Sequence, residues 1–292
     1  MLALFASPYT RGLFHKGIAE SPYGLPSHTR AQAEKIGIDV ATAMGLPGEK
    51  ATLEELQAIP ADKLKMLKGK GLSLAPSLVA GDAVLPEPIL DIFKKGKQAP
   101  VPLIIGSNSN EASVAEAFGV DPKKLVEHVG ILKLVRRELY PDVHDEAQYG
   151  REVVRDMVFL TFAKRIAETH SLQSPAFRYY FDYVPDQIRG KEPGVPHGGE
   201  IVFVFGSASL SKTYHNLFSN PDRLMSFKVG NYWHAFAKTG RPEVEGQPTW
   251  PSTNRGQNNV LEFGSPITPR NDFMKKRLDA FDEVLHLLDH FR

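Results

Sequence analysis

The sequence predicts an α/β fold with a mostly parallel sheet. Val101-Pro102-Leu103-Ile104-Ile105-Gly106 is a short apolar run bounded by Pro100 and a glycine, and reads as a strand. Residues 176–183 are rich in aromatics and read as another. Between and after these runs, apolar residues recur at three and four, the helical spacing. Strands alternating with helical stretches argue for the α/β class.

In chain order, residues 1–6 are helical and stop at Ser7-Pro8, because the residue before a proline avoids the helical region. This apolar start lacks the parts of a secretory signal and reads as the back half of a helix. A cytoplasmic address is the default, with secretion left open. Residues 16–21 read as a short buried strand stopped by Pro22. Residues 28–44 carry a helical pattern ended by Gly45, and Thr52 with Glu55 is a capping-box start for a helix toward Ile59. Lys63, Lys65, Lys68 and Lys70 read as a solvated basic face. Residues 121–170 are mostly helical, and in the last helix Val154, Met157, Val158, Thr161, Phe162 and Ile166 share one apolar side. Leu224, Phe227, Tyr232, Trp233 and Phe236 suggest a long buried helix stopped by Gly240. Residues 260–263 read as an edge strand, and residues 273–288 as a terminal helix with Leu278, Phe281, Leu285 and Leu288 on one side.

A chain of 292 residues can bury one large core or two modest ones, and no linker, repeat or low-complexity tract divides it. A net charge of +1 makes no electrostatic case for nucleic acid or an anionic membrane. Cysteine is absent, which excludes a disulfide frame, a thiolate nucleophile and a cysteine metal site. No apolar run reaches the roughly 20 residues that span a bilayer. His286 and His290 are four apart and face one side of the terminal helix, but no third metal ligand is indicated, and histidines there already favour the helix dipole.

Two polar stretches carry the chemistry. Ser107-Asn108-Ser109-Asn110-Glu111 lies just beyond the carboxyl end of a strand, where open α/β sheets place working residues. Val195-Pro196-His197-Gly198-Gly199-Glu200 holds an imidazole on a loop whose glycines allow close approach. From the residues alone, His197 is either a proton carrier or a histidine bonded to its own loop. Phe203, Phe205, Phe227, Tyr232, Trp233 and Phe236 are core, with one or two at a pocket wall.

Read together, the motifs resemble the type-B carboxylesterases, the α/β-hydrolases related to cholinesterases and para-nitrobenzyl esterases. Leu4-Phe5-Ala6-Ser7-Pro8 through Ile18-Ala19-Glu20-Ser21 is similar to the segment after that family's nucleophile elbow. Pro102 to Glu111, His197-Gly198-Gly199-Glu200 with Val204-Phe205-Gly206, and Trp233, Phe236, Gly240, Pro242 and Trp250-Pro251 resemble its acid loop, histidine loop and C-terminal signature. Asn110 and Ala112 depart from the aspartate and glycine usual beside the acid, and Pro22 from the glycine after Ser21. The resemblance implies hydrolysis of small-molecule carboxylic esters without metal or cofactor, with Glu111 as acid and His197 as base. The serine of that chemistry sits in a Gly-x-Ser-x-Gly turn. No such pentapeptide occurs here. The resemblance therefore implies a single incomplete α/β-hydrolase domain over residues 1–292, its C-terminal part, lacking the elbow and the oxyanion loop. It also implies an unpaired strand edge that a complementary N-terminal chain would cover. Ser21 is read as a structural hydroxyl behind the nucleophile. The alternative is a catalytically inactive cholinesterase-like binding protein or a truncated gene product.

Overall fold

The computed structural model describes residues 1–24, 28–65, 78–128 and 130–290. The main sheet contains β1 (Gly17–Glu20), β4 (Leu103–Asn108), β5 (Ala176–Phe181), β6 (Val260–Phe263) and β7 (Ile267–Arg270), side by side in that order. The first four run parallel; β7 returns antiparallel to β6. Two short strands, β2 (His28–Thr29) and β3 (Val79–Ala80), pair separately.

Both faces of the sheet's centre are covered, which explains why β4 and β5 are buried at every position. Ile104, Phe177, Tyr179 and Phe181 pack with Phe203, Tyr232, Trp233, Phe236 and Trp250 on one face. On the other, Leu103, Ile105 and Ala176 meet Phe5, Phe93, Phe162 and Ile166. Alternate residues of β4 thus serve opposite layers, as the two-residue strand period requires.

The start helix (Leu2–Ala6) and the Thr52 capping box before Leu53–Gln57 follow the sequence reading; the helix read from residue 28 begins only at Arg30, behind a Thr29 capping box, because His28 and Thr29 pair with β3. The terminal helix runs Lys275–His290, with Leu278 and Phe281 buried. Lys68 and Lys70 of the basic face lie outside the described residues.

Three readings need correction. Strand β6 is not an edge: β5 flanks it on one side and β7 on the other. The sequence Ile267-Thr268-Pro269-Arg270 hides β7, because a proline and polar side chains mask a strand that only its pairing with β6 reveals. Among the described residues the edges are β1 and β7. Second, the helical stretch before β5 contains a π-helical segment, Arg155–Leu160, between Glu146–Val154 and Thr161–His170. The wider turn swings Arg155, Asp156, Phe159 and Leu160 inward and leaves Met157 and Val158 half-buried. Third, the helix Asn220–Thr239 ends at Gly240 in a left-handed conformation as expected, but Leu224 and Phe227 face outward. Its buried stripe is Met225, Val229, Tyr232, Trp233 and Phe236, and 100° per residue rotates Leu224 and Phe227 away from it.

Gly106 shows how closely β4 and β5 approach. It faces Tyr179 in the register, and a Cβ there would stand 2.3 Å from the Tyr179 ring and 2.4 Å from its carbonyl oxygen. The backbone contact cannot be relieved by a rotamer change. Gly106→Ala is expected to destabilise the fold by about 1–3 kcal/mol, the usual range for forced overpacking. Urea unfolding checks this; an unchanged midpoint would show that the strands do not meet so tightly.

Candidate active site

Parallel pairing of β1, β4 and β5 brings their carboxyl ends to one rim. Ser21 follows β1, Glu111 stands on the loop after β4, and a long irregular segment after β5 leads to His197. The structure brings all three together.

Glu111 is fully buried. Its Oε1 accepts from the Ser21 hydroxyl at 2.5 Å and from the Asn108 backbone N–H at 2.6 Å. Its Oε2 lies 2.6 Å from His197 Nδ1. A buried carboxylate is tolerated only with such partners. With Oε2 as acceptor, Nδ1 carries the proton, and Nε2 is left on the far side of a ring whose side chain is 33% exposed. The hydrogen bond to Glu111 raises the His197 pKa from its ordinary value, against an opposing effect of burial.

The Ser21 proton is committed to Glu111 and the residue is buried, so its hydroxyl supports the carboxylate rather than standing free. Its backbone has φ 48°, the left-handed region, where the chain leaves β1 sharply.

The histidine loop has little secondary structure of its own and is held by the acid loop. Asn110 N–H donates to the Val195 carbonyl at 2.9 Å. Val195 N–H donates to Ser109 Oγ, and His197 N–H to Ser113 Oγ, each at 2.8 Å. From the π-helical segment, Arg155 Nη1 donates to the Ser109 carbonyl at 3.4 Å, and Phe159 lies against the imidazole with ring centroids 5.9 Å apart.

Sequence reasoning passed over Asn108, Ser113 and Glu200 as site residues. Glu200 is a second buried carboxyl, and Asn108 Nδ2 donates to its Oε2. Burial pushes its pKa up to about 7. Its place three residues after His197 was the one available signal. Glu20 is also raised by burial, and accepts from Trp233 Nε1 at 2.8 Å. Of the six aromatics considered for a pocket, Phe203, Tyr232, Trp233 and Phe236 are core, whereas Phe205 is 72% and Phe227 67% exposed. Beside Phe227, residues Val204, Ala208, Phe218 and Arg223 line a cavity of about 340 Å³. His286 lies 3.8 Å from Asp282, and no cluster of three metal-ligating side chains exists among the described residues. The side chain of His290 lies outside the described structure. No described helix is long and apolar enough to cross a membrane.

A carboxylate–histidine pair at the carboxyl end of a parallel sheet is an arrangement that α/β-hydrolases use. The family model described as the carboxylesterase family matches residues 1–139 and 131–281. The chain belongs to the carboxylesterase family. This carboxylesterase-family chain is 27% identical over 317 residues to carboxylesterase 5A of Canis lupus familiaris, an alignment covering 98% of the chain and 54% of that protein. It is 26% identical to the cocaine esterase of Homo sapiens, over 85% of the chain and 49% of that protein. Among solved structures, a PNB esterase superposes with a TM-score of 0.70 at 24% identity, over 95% of this chain and 59% of that one. A Geobacillus stearothermophilus carboxylesterase gives 0.74 at 20% identity, over 96% and 61%. The structural likeness establishes an α/β-hydrolase fold. The chain spans about half the length of the curated relatives it matches.

His197 and Glu200, like Glu20, bind more protons in the folded state than in the unfolded one, so each makes stability fall as pH rises. Glu200 acts between its ordinary 4.5 and about 7. The His197–Glu111 contribution is full below 6.5 and is lost as pH passes the raised folded value. Glu200→Gln is expected to flatten the loss of stability between pH 5 and 7, on the order of 2–3 kcal/mol. Chemical unfolding at pH 5, 6, 7 and 8 tests this; equal slopes in variant and wild type would refute it.

Proposed function

We propose that this chain carries the acid and base of a serine carboxylesterase, Glu111 and His197, and that its substrate is a small-molecule carboxylic ester. The carrying observation is the 2.6 Å contact between His197 Nδ1 and buried Glu111 Oε2 in a chain of the carboxylesterase family. In this reading Glu111 holds the Nδ1–H tautomer and stabilises the imidazolium. Nε2 takes the proton of a seryl hydroxyl as it attacks the ester carbonyl. It then returns that proton to the leaving alcohol, and water hydrolyses the acyl-enzyme by the same route. The chemistry calls for no metal or cofactor. Relatives are named for acylcarnitine, cocaine and pyrethroid hydrolysis, which supports the ester class and nothing narrower.

We further propose that residues 1–292 form one incomplete α/β-hydrolase domain, the C-terminal part, and that a complementary N-terminal chain supplies the serine and the oxyanion donors. Three features support this. The sequence lacks a Gly-x-Ser-x-Gly elbow. Strand β1 pairs on one side only among the described residues. Ile201, Phe205, Leu210, Leu224 and Phe227 leave apolar side chains exposed downstream of His197. Open edges and apolar patches of this kind are normally covered.

The test is hydrolysis of para-nitrophenyl acetate, by the chain alone and by the chain combined with an elbow-bearing N-terminal half from a family member. Alone it should show no saturable turnover. In the complex, turnover should appear, and His197→Ala should lower it by about a millionfold, the scale of losing the histidine of a triad. Saturable, His197-dependent hydrolysis by the chain alone would contradict the missing nucleophile. A complex that forms and stays inactive, or ignores His197→Ala, would favour a binding protein instead.

A further inference from the structure

We propose that Asn108 is the positioning residue of the Glu111–His197 pair, its side-chain amide tying the histidine loop to the end of β4. The proposal rests on the catalytic reading above for its purpose, though not for its geometry.

Asn108 is the last residue of β4 and is fully buried. Its backbone N–H donates to Glu111 Oε1 at 2.6 Å, so it already touches the acid. One side-chain N–H donates to the Pro196 carbonyl at 2.9 Å, immediately before His197. The same nitrogen donates to Glu200 Oε2, three residues after it. One side chain thus grips the histidine loop on both sides of the imidazole, while its own main chain holds the carboxylate. The two acceptors fix which way round the amide lies.

The loop needs such a grip. Pro196 has no N–H to offer a neighbouring strand, and Gly198 has a φ of 76°, which favours glycine. Within the loop, Gly199 N–H returns to the same Pro196 carbonyl at 2.8 Å, so the Asn108 bond anchors the turn that carries His197. The cost of the arrangement is visible. Asn108 Oδ1 is buried with no hydrogen-bond partner among the described residues. A leucine would fill similar space with no orphaned oxygen, and an aspartate would supply no donor when ionised. What an asparagine adds at this position is the pair of N–H groups, and both are used on the histidine loop.

The experiment needs no turnover. The imidazole titration of His197 and the amide exchange of Val195, His197 and Gly199 are read by NMR on the 292-residue chain. In Asn108→Ala, the His197 pKa should fall from its raised value toward 6.5. The loop amides should exchange on the order of tenfold faster, the scale of a lost buried hydrogen bond. Amides of β5 should be unchanged. Glu200→Gln keeps an acceptor for the Asn108 amide and should leave the loop exchange at its wild-type rate. If Asn108→Ala does not fold, Asn108→Ala combined with Glu200→Gln removes the stranded buried charge and carries the same readout. A folded Asn108 variant with wild-type titration and wild-type loop exchange would overturn the proposal. If these readouts move as expected and the complemented enzyme is inactive, the catalytic reading fails and the positioning role stands.

Discussion

The site depends on one constraint, the burial of the Glu111 carboxylate. An anion taken out of water must find donors in the protein. Glu111 finds three: the Ser21 hydroxyl, 90 positions before it, the Asn108 N–H beside it, and the His197 ring, 86 positions after it. Each comes from a different segment. The carboxylate therefore requires β1, the acid loop and the histidine loop to converge on one point, and rewards them when they do.

The sheet makes that convergence achievable. Parallel strands send successive loops to the same rim, and β4 lies between β1 and β5. Tight approach of β4 to β5, which needs Gly106 opposite Tyr179, sets the distance between the acid loop and the segment leading to His197. Side chains then replace missing secondary structure. Ser109, Ser113 and Asn108 hydrogen-bond to the backbone of a loop whose β pairing, among the described residues, is limited to the isolated Asn110–Pro196 bridge. Glu200 sits against this arrangement as a second buried carboxyl, and its raised pKa reflects the limited compensation it receives.

Much of this was legible beforehand. Two-sided burial made β4 and β5 conspicuous, and the polar run ending at Glu111 stood in the expected place after a strand. The capping box at Thr52 and the glycine stop at Gly240 are local chemistry, and helices begin and end there. Misreadings arose where the answer lay in a partner. Strand β7 has meaning only beside β6. The π-helical segment shifts the apolar face by one position, which a 3.6-residue pattern cannot anticipate. Leu224 and Phe227 look like core residues until the rotation of their helix is known.

By itself the sequence determined the α/β class, the ends of several helices and the two loops bearing Glu111 and His197, because these follow from periodicity, capping and residue type within a few positions. Only the tertiary structure decided that these loops meet, that Ser21 serves the carboxylate, and that Asn108 and Glu200 belong to the site. Contacts between residues some 90 positions apart leave no local periodicity behind them; they exist only once the sheet has chosen its strand order.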